Sequence, residues 1–112
     1  MTKAEVVSKI SAKTGLEKGD VSSTLEAFFK VVKGSLAEGE NIYIRGFGSF
    51  VLKKRAKKMA RIISRNEPIE IEEHYIPSFK PSQMFVQKVK ESEDVKELLR
   101  QEKTENHQHQ KS

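Results

Sequence analysis

Lys53, Lys54, Arg55, Lys57 and Lys58 place five cations within six residues, and Arg61 and Arg65 follow at wider spacing. Residues 51–66 hold seven basic side chains and no acidic one, a local charge of +7 in a chain whose net charge is +5. Residues 1–50 contribute +1, residues 67–81 contribute −3, and residues 82–112 are neutral. Burying such a cluster would cost many kcal/mol for each unpaired cation, so it must face water or a polyanion. A polyphosphate favours it through counterion release, which scales with the number of phosphates neutralised. A purely solubilising surface would mix the two signs, and this stretch does not. Ile62 and Ile63 sit inside the stretch with no evident core to join. They can pair across a hairpin and stiffen it, or one of them can act as a wedge in a base stack.

Other chemistry finds little support. Cysteine is absent, which excludes disulfides and thiolate sites. No nucleophile, base and orienting group come together, and no catalytic residue is expected. Glu70 and Glu72 share a strand face, but on an exposed ribbon they lack the burial that tunes a carboxyl. Gly46-Phe47-Gly48 has neither the GxGxxG spacing nor a following Lys-Ser/Thr, so it does not read as a nucleotide loop. His107 and His109 would need further ligands to hold a metal, and His74 reads as a surface residue. No cofactor and no metal are therefore expected. No apolar run approaches the roughly 20 residues that span a bilayer, and no secretory segment follows Met1. The expectation is a cytoplasmic protein without membrane contact.

The elements that would carry the cationic stretch follow from periodicity. Thr2-Lys3-Ala4-Glu5 has the spacing of a capping box, and Val6, Val7 and Ile10 follow at helical period until Gly15. Val21, Leu25, Phe28, Phe29, Val32 and Leu36 form the stripe of a second helix, closed by Gly39. The pair predicts an antiparallel helical hairpin. The period then changes to two over Ile42 and Ile44, and Ser49-Phe50-Val51-Leu52 continues as strand into the cations. Alternation returns at Ile69-Glu70-Ile71-Glu72. Between these runs lie turn formers, so the economical shape is a β-ribbon over residues 53–73 whose base joins the sheet and whose tip projects. Ten residues per arm would reach roughly 33 Å. Pro77 and Pro81 predict a rigid, irregular segment. Ser82 can cap a helix carrying Met84, Phe85 and Val89. Val95, Leu98 and Leu99 allow one more helical stretch, either packed on the body or hanging free. Beyond Arg100 the composition is polar and predicts disorder.

The body outside the ribbon and tail is small for its apolar surface. Phe28, Phe29 and Val32 on the second helix, with Phe47, Phe50, Phe79 and Phe85, exceed what a thin three-stranded sheet can cover. A second chain would complete this core, and two-fold closure is the commonest arrangement. It would also present two arms to one duplex.

Gly46-Phe47-Gly48-Ser49-Phe50, the basic arm, and Ile76-Pro77-Ser78-Phe79-Lys80-Pro81 together resemble the bacterial histone-like HU and integration host factor family, over about residues 1–90. The resemblance implies an α+β fold: a helical hairpin base, a three-stranded antiparallel sheet extended into a β-ribbon arm, a C-terminal helix, and an intertwined dimer. It also implies arms that enter the minor groove and a sharply bent duplex. Lys53, Lys54, Arg55, Lys57 and Lys58 match the family's basic arm, and Arg61 matches the arginine near its tip. Ile63 stands where the family usually has an intercalating proline. The Arg-Asn-Pro motif is here Arg61-Ile62-Ile63, and Pro68 lies too late to replace that proline. Isoleucine is apolar and can still wedge between base pairs. Lys80 matches a body lysine that touches phosphate, and Lys3 and Arg65 are further candidates.

The implied function is an architectural protein that bends or compacts double-stranded DNA in the bacterial nucleoid, with a preference for bent, nicked or otherwise distorted duplex. Most of the charges are lysines, which are poor bidentate readers, so low sequence specificity is expected. A sequence-preferring bender like integration host factor stays open, as does a non-enzymatic protein whose ribbon binds RNA. The partner subunit is an identical chain or a paralogue. Residues 91–112 form an extension beyond the DNA-binding domain, with six acidic and four basic side chains and so no lysine-rich tail.

Overall fold

The structure, a computed structural model, describes residues 1–111, with side chains through Glu105. Helix α1 spans Lys3–Thr14. The Thr2 hydroxyl accepts the Glu5 N–H at 3.2 Å, which satisfies one of the free donors of the first turn. Gly15 ends the helix at φ 78°, where its N–H donates to the Ser11 carbonyl. Helix α2 spans Lys18–Ala37 and packs back along α1, forming the expected hairpin. Val7 of α1 and Val21 and Leu36 of α2 are the buried residues of these helices.

Three strands follow around one tight turn. Strands β1 (Ile42–Ile44), β2 (Gly48–Arg55) and β5 (His74–Pro81) form an antiparallel sheet in the order β1-β2-β5. The turn between β1 and β2 is closed by the Phe47 N–H donating to the Ile44 carbonyl. The Ser82 N–H donates to the Phe47 carbonyl, which ties this turn to the end of β5. Gly48 lies against the opposing strand. A Cβ there would come within 2.5 Å of the Lys80 carbonyl oxygen and 2.7 Å of the Phe79 ring. Backbone cannot move aside as a flexible side chain can, so Gly48→Ala is expected to cost about 3 kcal/mol. Chemical denaturation of the full-length chain measures this, and an unchanged midpoint would contradict it.

The segment expected to be irregular around Pro77 and Pro81 is instead a regular strand. β5 is a sheet edge, and a proline is tolerated where its missing N–H faces no neighbour. The expected ribbon is also interrupted. Pairing between β2 and β5 runs out to Arg55↔His74 and stops. It resumes as a separate two-stranded sheet of β3 (Lys58–Ile62) and β4 (Glu67–Ile71), from Lys58↔Ile71 to Ile62↔Glu67. The register does not slip across the gap, so the arm is one ribbon with a two-residue break on each side.

Helix α3 spans Gln83–Glu91, with the Ser82 hydroxyl accepting the Phe85 N–H at 3.1 Å. Helix α4 spans Glu93–Lys111. The disorder expected beyond Arg100 is therefore replaced by continuous helical backbone. Polarity alone misleads here, because Glu, Gln, Lys and Arg are good helix formers. Glu93, Lys96, Glu97 and Arg100 also pair at helical spacing.

The core is thin. Among the described residues only Val7, Val21, Leu36 and Val51 are buried. The molecule extends 56 × 47 × 29 Å, elongated for its mass.

Candidate nucleic-acid interface

The structure brings most of the predicted cations onto one arm. Lys53, Lys54 and Arg55 are the last three residues of β2, Lys57 lies in the break, and Lys58 and Arg61 are on β3. Arg65 and Ile63 occupy the tip turn that joins β3 to β4. Asn66 closes this turn at φ 52°, a left-handed conformation that asparagine tolerates better than most residues. Its side-chain oxygen accepts a hydrogen bond from the Arg61 guanidinium at 3.1 Å. Ile62 and Ile63 part company. Ile62 sits in register with Glu67 on the ribbon, whereas Ile63 is 94% exposed at the extremity.

Two arm cations are matched by carboxylates of the return strand. Lys54 Nζ lies 3.2 Å from Glu73, and Lys57 pairs with Glu70. These pairs flank the break in the ladder and bridge the two sides where backbone bonds are absent. Among the described residues, Lys53, Arg55, Lys58, Arg61 and Arg65 have no carboxylate within ion-pair distance. Sequence reasoning missed Glu70 and Glu73 as partners. The signal was present in the register, since facing strands of opposite sign place such pairs side by side. It also missed the apolar stripe on one ribbon face, where Ala60 stands opposite Ile69 and Ile62 and Ile71 lie on the same side.

Lys80 and Lys3 lie elsewhere. Lys80 is on β5 opposite Ser49, at the base of the sheet. Lys3 begins α1, and its ammonium contacts Glu26 on α2. That hydrogen bond and the ammonium charge hold the Glu26 carboxyl below its ordinary range. His74 is exposed, with Nδ1 2.9 Å from the Glu72 carbonyl oxygen. No three described His, Asp or Glu side chains gather as a metal site. The side chains of His107 and His109 lie outside the described residues.

The aromatic residues form one connected seam. Phe28 meets Phe29 and Phe50 at 6.2 Å between ring centroids, and Phe50 meets Phe79 at 5.2 Å. Phe47 then meets Phe79 at 5.2 Å and Phe85 at 5.4 Å. Phe28, Phe29, Phe47 and Phe79 nonetheless remain more than a third exposed. Beside the seam, Val32 and Leu36 of α2 face Phe50, Leu52, Tyr75 and Pro77 across an apolar groove of about 720 Å³.

This combination of helical hairpin, three-stranded sheet, projecting cationic ribbon and capped third helix has known counterparts. Residues 1–90 match the family described as bacterial DNA-binding protein. The chain belongs to the bacterial DNA-binding protein family, the family of HU and integration host factor. A DNA-binding protein HU from Thermotoga maritima is 37% identical over 90 residues, covering 80% of this chain and 100% of that protein. An integration host factor subunit alpha from Alteromonas mediterranea is 34% identical over 95 residues, covering 85% of this chain and 96% of that one. Among solved structures, an HU–DNA cocrystal structure from Anabaena superposes with a TM-score of 0.77 at 27% identity, over 82% of this chain and 100% of that one. As a member of the HU and integration host factor family, the chain is an architectural DNA-binding protein and not an enzyme. Among the described residues no helix is long and apolar enough to cross a membrane.

Proposed function

We propose that two copies of this chain form one body whose two β-arms enter the minor groove of duplex DNA and bend it, with little sequence preference, in the bacterial nucleoid. The observation that carries this reading is the arm itself. Seven cations and no carboxylate occupy residues 51–66, the segment projects from the body, and only Lys54 and Lys57 have acidic partners among the described residues. Lys53, Lys54, Arg55, Lys57, Lys58, Arg61 and Arg65 contact phosphates and the groove walls, and Lys80 and Lys3 contact phosphates that the bent duplex brings down to the body. The half-exposed phenylalanine seam and the neighbouring groove support the dimer, because a second copy removes this surface from water.

Phosphate contacts position a protein without reading sequence, and the minor groove offers only a degenerate pattern. Smoothly bending a short site costs about 1–6 kcal/mol, and a nicked or mismatched duplex has already met part of this cost. Titration against nicked DNA, intact DNA and duplex RNA at two salt concentrations, with the solution mass measured alongside, tests the reading. Tightest binding is expected for nicked DNA and weakest for RNA, whose wide, shallow minor groove suits a narrow ribbon poorly. Equal affinity for all three would remove the bending mechanism, and a preference for one intact sequence would point to a reader like integration host factor.

Ile63 is the wedge in this reading, supported by its near-complete exposure at the tip. Isoleucine lacks the fixed ring of proline but is large enough to unstack a base step. Ile63→Ala is expected to reduce the bend angle while affinity for intact duplex falls by less than about tenfold, because the phosphate contacts remain. Fluorescence energy transfer between the ends of a short duplex reads the bend, and an unchanged angle would remove Ile63 from this role.

A further inference from the structure

Helix α4 lies beyond the residues that match the family, which end at 90. At 19 residues it is about 28 Å long, as long as a small domain is wide. Its side chains are sorted. Val95, Leu98 and Leu99 form a stripe at steps of three and four. On the neighbouring face, Glu93 pairs with Lys96 and Arg100, and Glu97 pairs with Arg100. Within this chain α4 adjoins α3, and its stripe stays uncovered: Leu98 is 58% exposed and Leu99 53%.

Resting on the dimer reading above, we propose that α4 is a clasp whose stripe of Val95, Leu98 and Leu99 docks on the second copy of the chain within the dimer. Three observations select this occupant. The stripe follows in the chain from the seam the second copy is inferred to cover, because α4 adjoins α3 and α3 carries Phe85 of that seam. Val89 one turn after Phe85 is exposed, and Val95 opens the stripe three residues past Ser92, after Glu93 and Asp94. DNA is a poor occupant, because residues 93–105 hold five acidic and three basic side chains and the described bases near the stripe are largely ion-paired already. A coiled coil with an unrelated helix is also a poor fit, since the stripe fills a single heptad and Glu102 and Glu105 occupy the positions that would prolong it. In a two-fold dimer a short stripe is buried twice, once on each copy, so a modest patch adds appreciably to the interface.

The test uses the full-length chain carrying Leu98→Glu and Leu99→Glu, with Leu98→Met and Leu99→Met as the conservative counterpart. Glutamate keeps helix propensity close to that of leucine, and far-ultraviolet circular dichroism checks that helicity is retained. Sedimentation across a dilution series reads dimer dissociation. The glutamate variant is expected to raise the dissociation constant about a hundredfold, and the methionine variant less than about fivefold. Affinity for DNA at protein concentrations that saturate the dimer should stay unchanged. A wild-type dimer whose dissociation constant does not respond to the glutamates would overturn the clasp and leave the dimer standing. A wild-type tetramer that the glutamates split into unaltered dimers would place the stripe between dimers and overturn it too. Loss of DNA affinity at unchanged dimer stability would assign the stripe to DNA instead. A wild-type chain that is monomeric at all concentrations would remove the dimer reading itself, and the clasp with it.

Discussion

Replacing Lys53, Arg55, Lys58 and Arg61 together by alanine is expected to weaken duplex DNA binding by about a thousandfold near 0.15 M salt. None of the four has a carboxylate partner among the described residues, so their charge is free for phosphate. Two arms carry the change in a dimer. If half of the removed cations touch phosphate, the dependence of log affinity on log salt should flatten by about 3.6. The fold should not suffer, because all four side chains are exposed and none supplies core. Thermal unfolding of the variant therefore serves as the control. Lys54 and Lys57 provide the contrast. Each already has Glu73 or Glu70 beside it, so a phosphate contact there replaces an existing ion pair. Their double replacement should cost less affinity than replacing Lys53 and Arg55. Retained affinity and an unchanged salt slope in the fourfold variant would show that the arm does not hold DNA through its charge.

Phe79→Ala is expected to have the largest effect on stability. Phe79 sits at the centre of the seam, with Phe47 and Phe50 both at 5.2 Å and Phe85 at 6.3 Å. It faces Phe50 in register across β2 and β5 and lies against Gly48. Removing a fully buried ring costs about 3–5 kcal/mol, and Phe79, 38% exposed in one copy, reaches that range only where the second copy covers it. Because the second copy is inferred to cover the outer side of the seam, the loss should couple to association. The variant's unfolding midpoint should therefore fall further on dilution than that of the parent chain. Tyr43→Ala on the same sheet provides the comparison. Tyr43 is 73% exposed, and its removal should shift the midpoint little. Equal effects of the two substitutions, or a Phe79 variant insensitive to dilution, would deny the seam its interfacial role.

Much of this architecture was legible along the chain. The α1–α2 hairpin came from stripes at helical spacing and from Thr2 and Gly15 at its ends. The sheet came from alternation around Gly46-Phe47-Gly48. The candidate site was legible for a different reason: like charges packed into one short run can have no common internal partner, so composition alone forces them outward. Errors arose wherever the deciding contact was distant or where a rule about one residue met a permissive context. Pro77 and Pro81 look like breakers until β5 is known to be an edge. The polar residues after Arg100 look disordered until their helix propensity is weighed and the ion-paired turns before them are seen to start the helix.

The chain's own order of residues thus determined most of the helices and strands, and that the cations of residues 51–66 stay out of the core. Those conclusions depend on neighbours within a few residues and on the cost of burying unpaired charge. Only the tertiary structure decided that the ribbon breaks between Arg55 and Lys58, that Glu70 and Glu73 hold two of the cations, that Ile63 rather than Ile62 stands at the extremity, and that α4 presents an uncovered stripe. Each of these depends on which residue lies opposite which across strands or between helices. Such pairing is set by the closure of the whole fold, and no local window of sequence contains it.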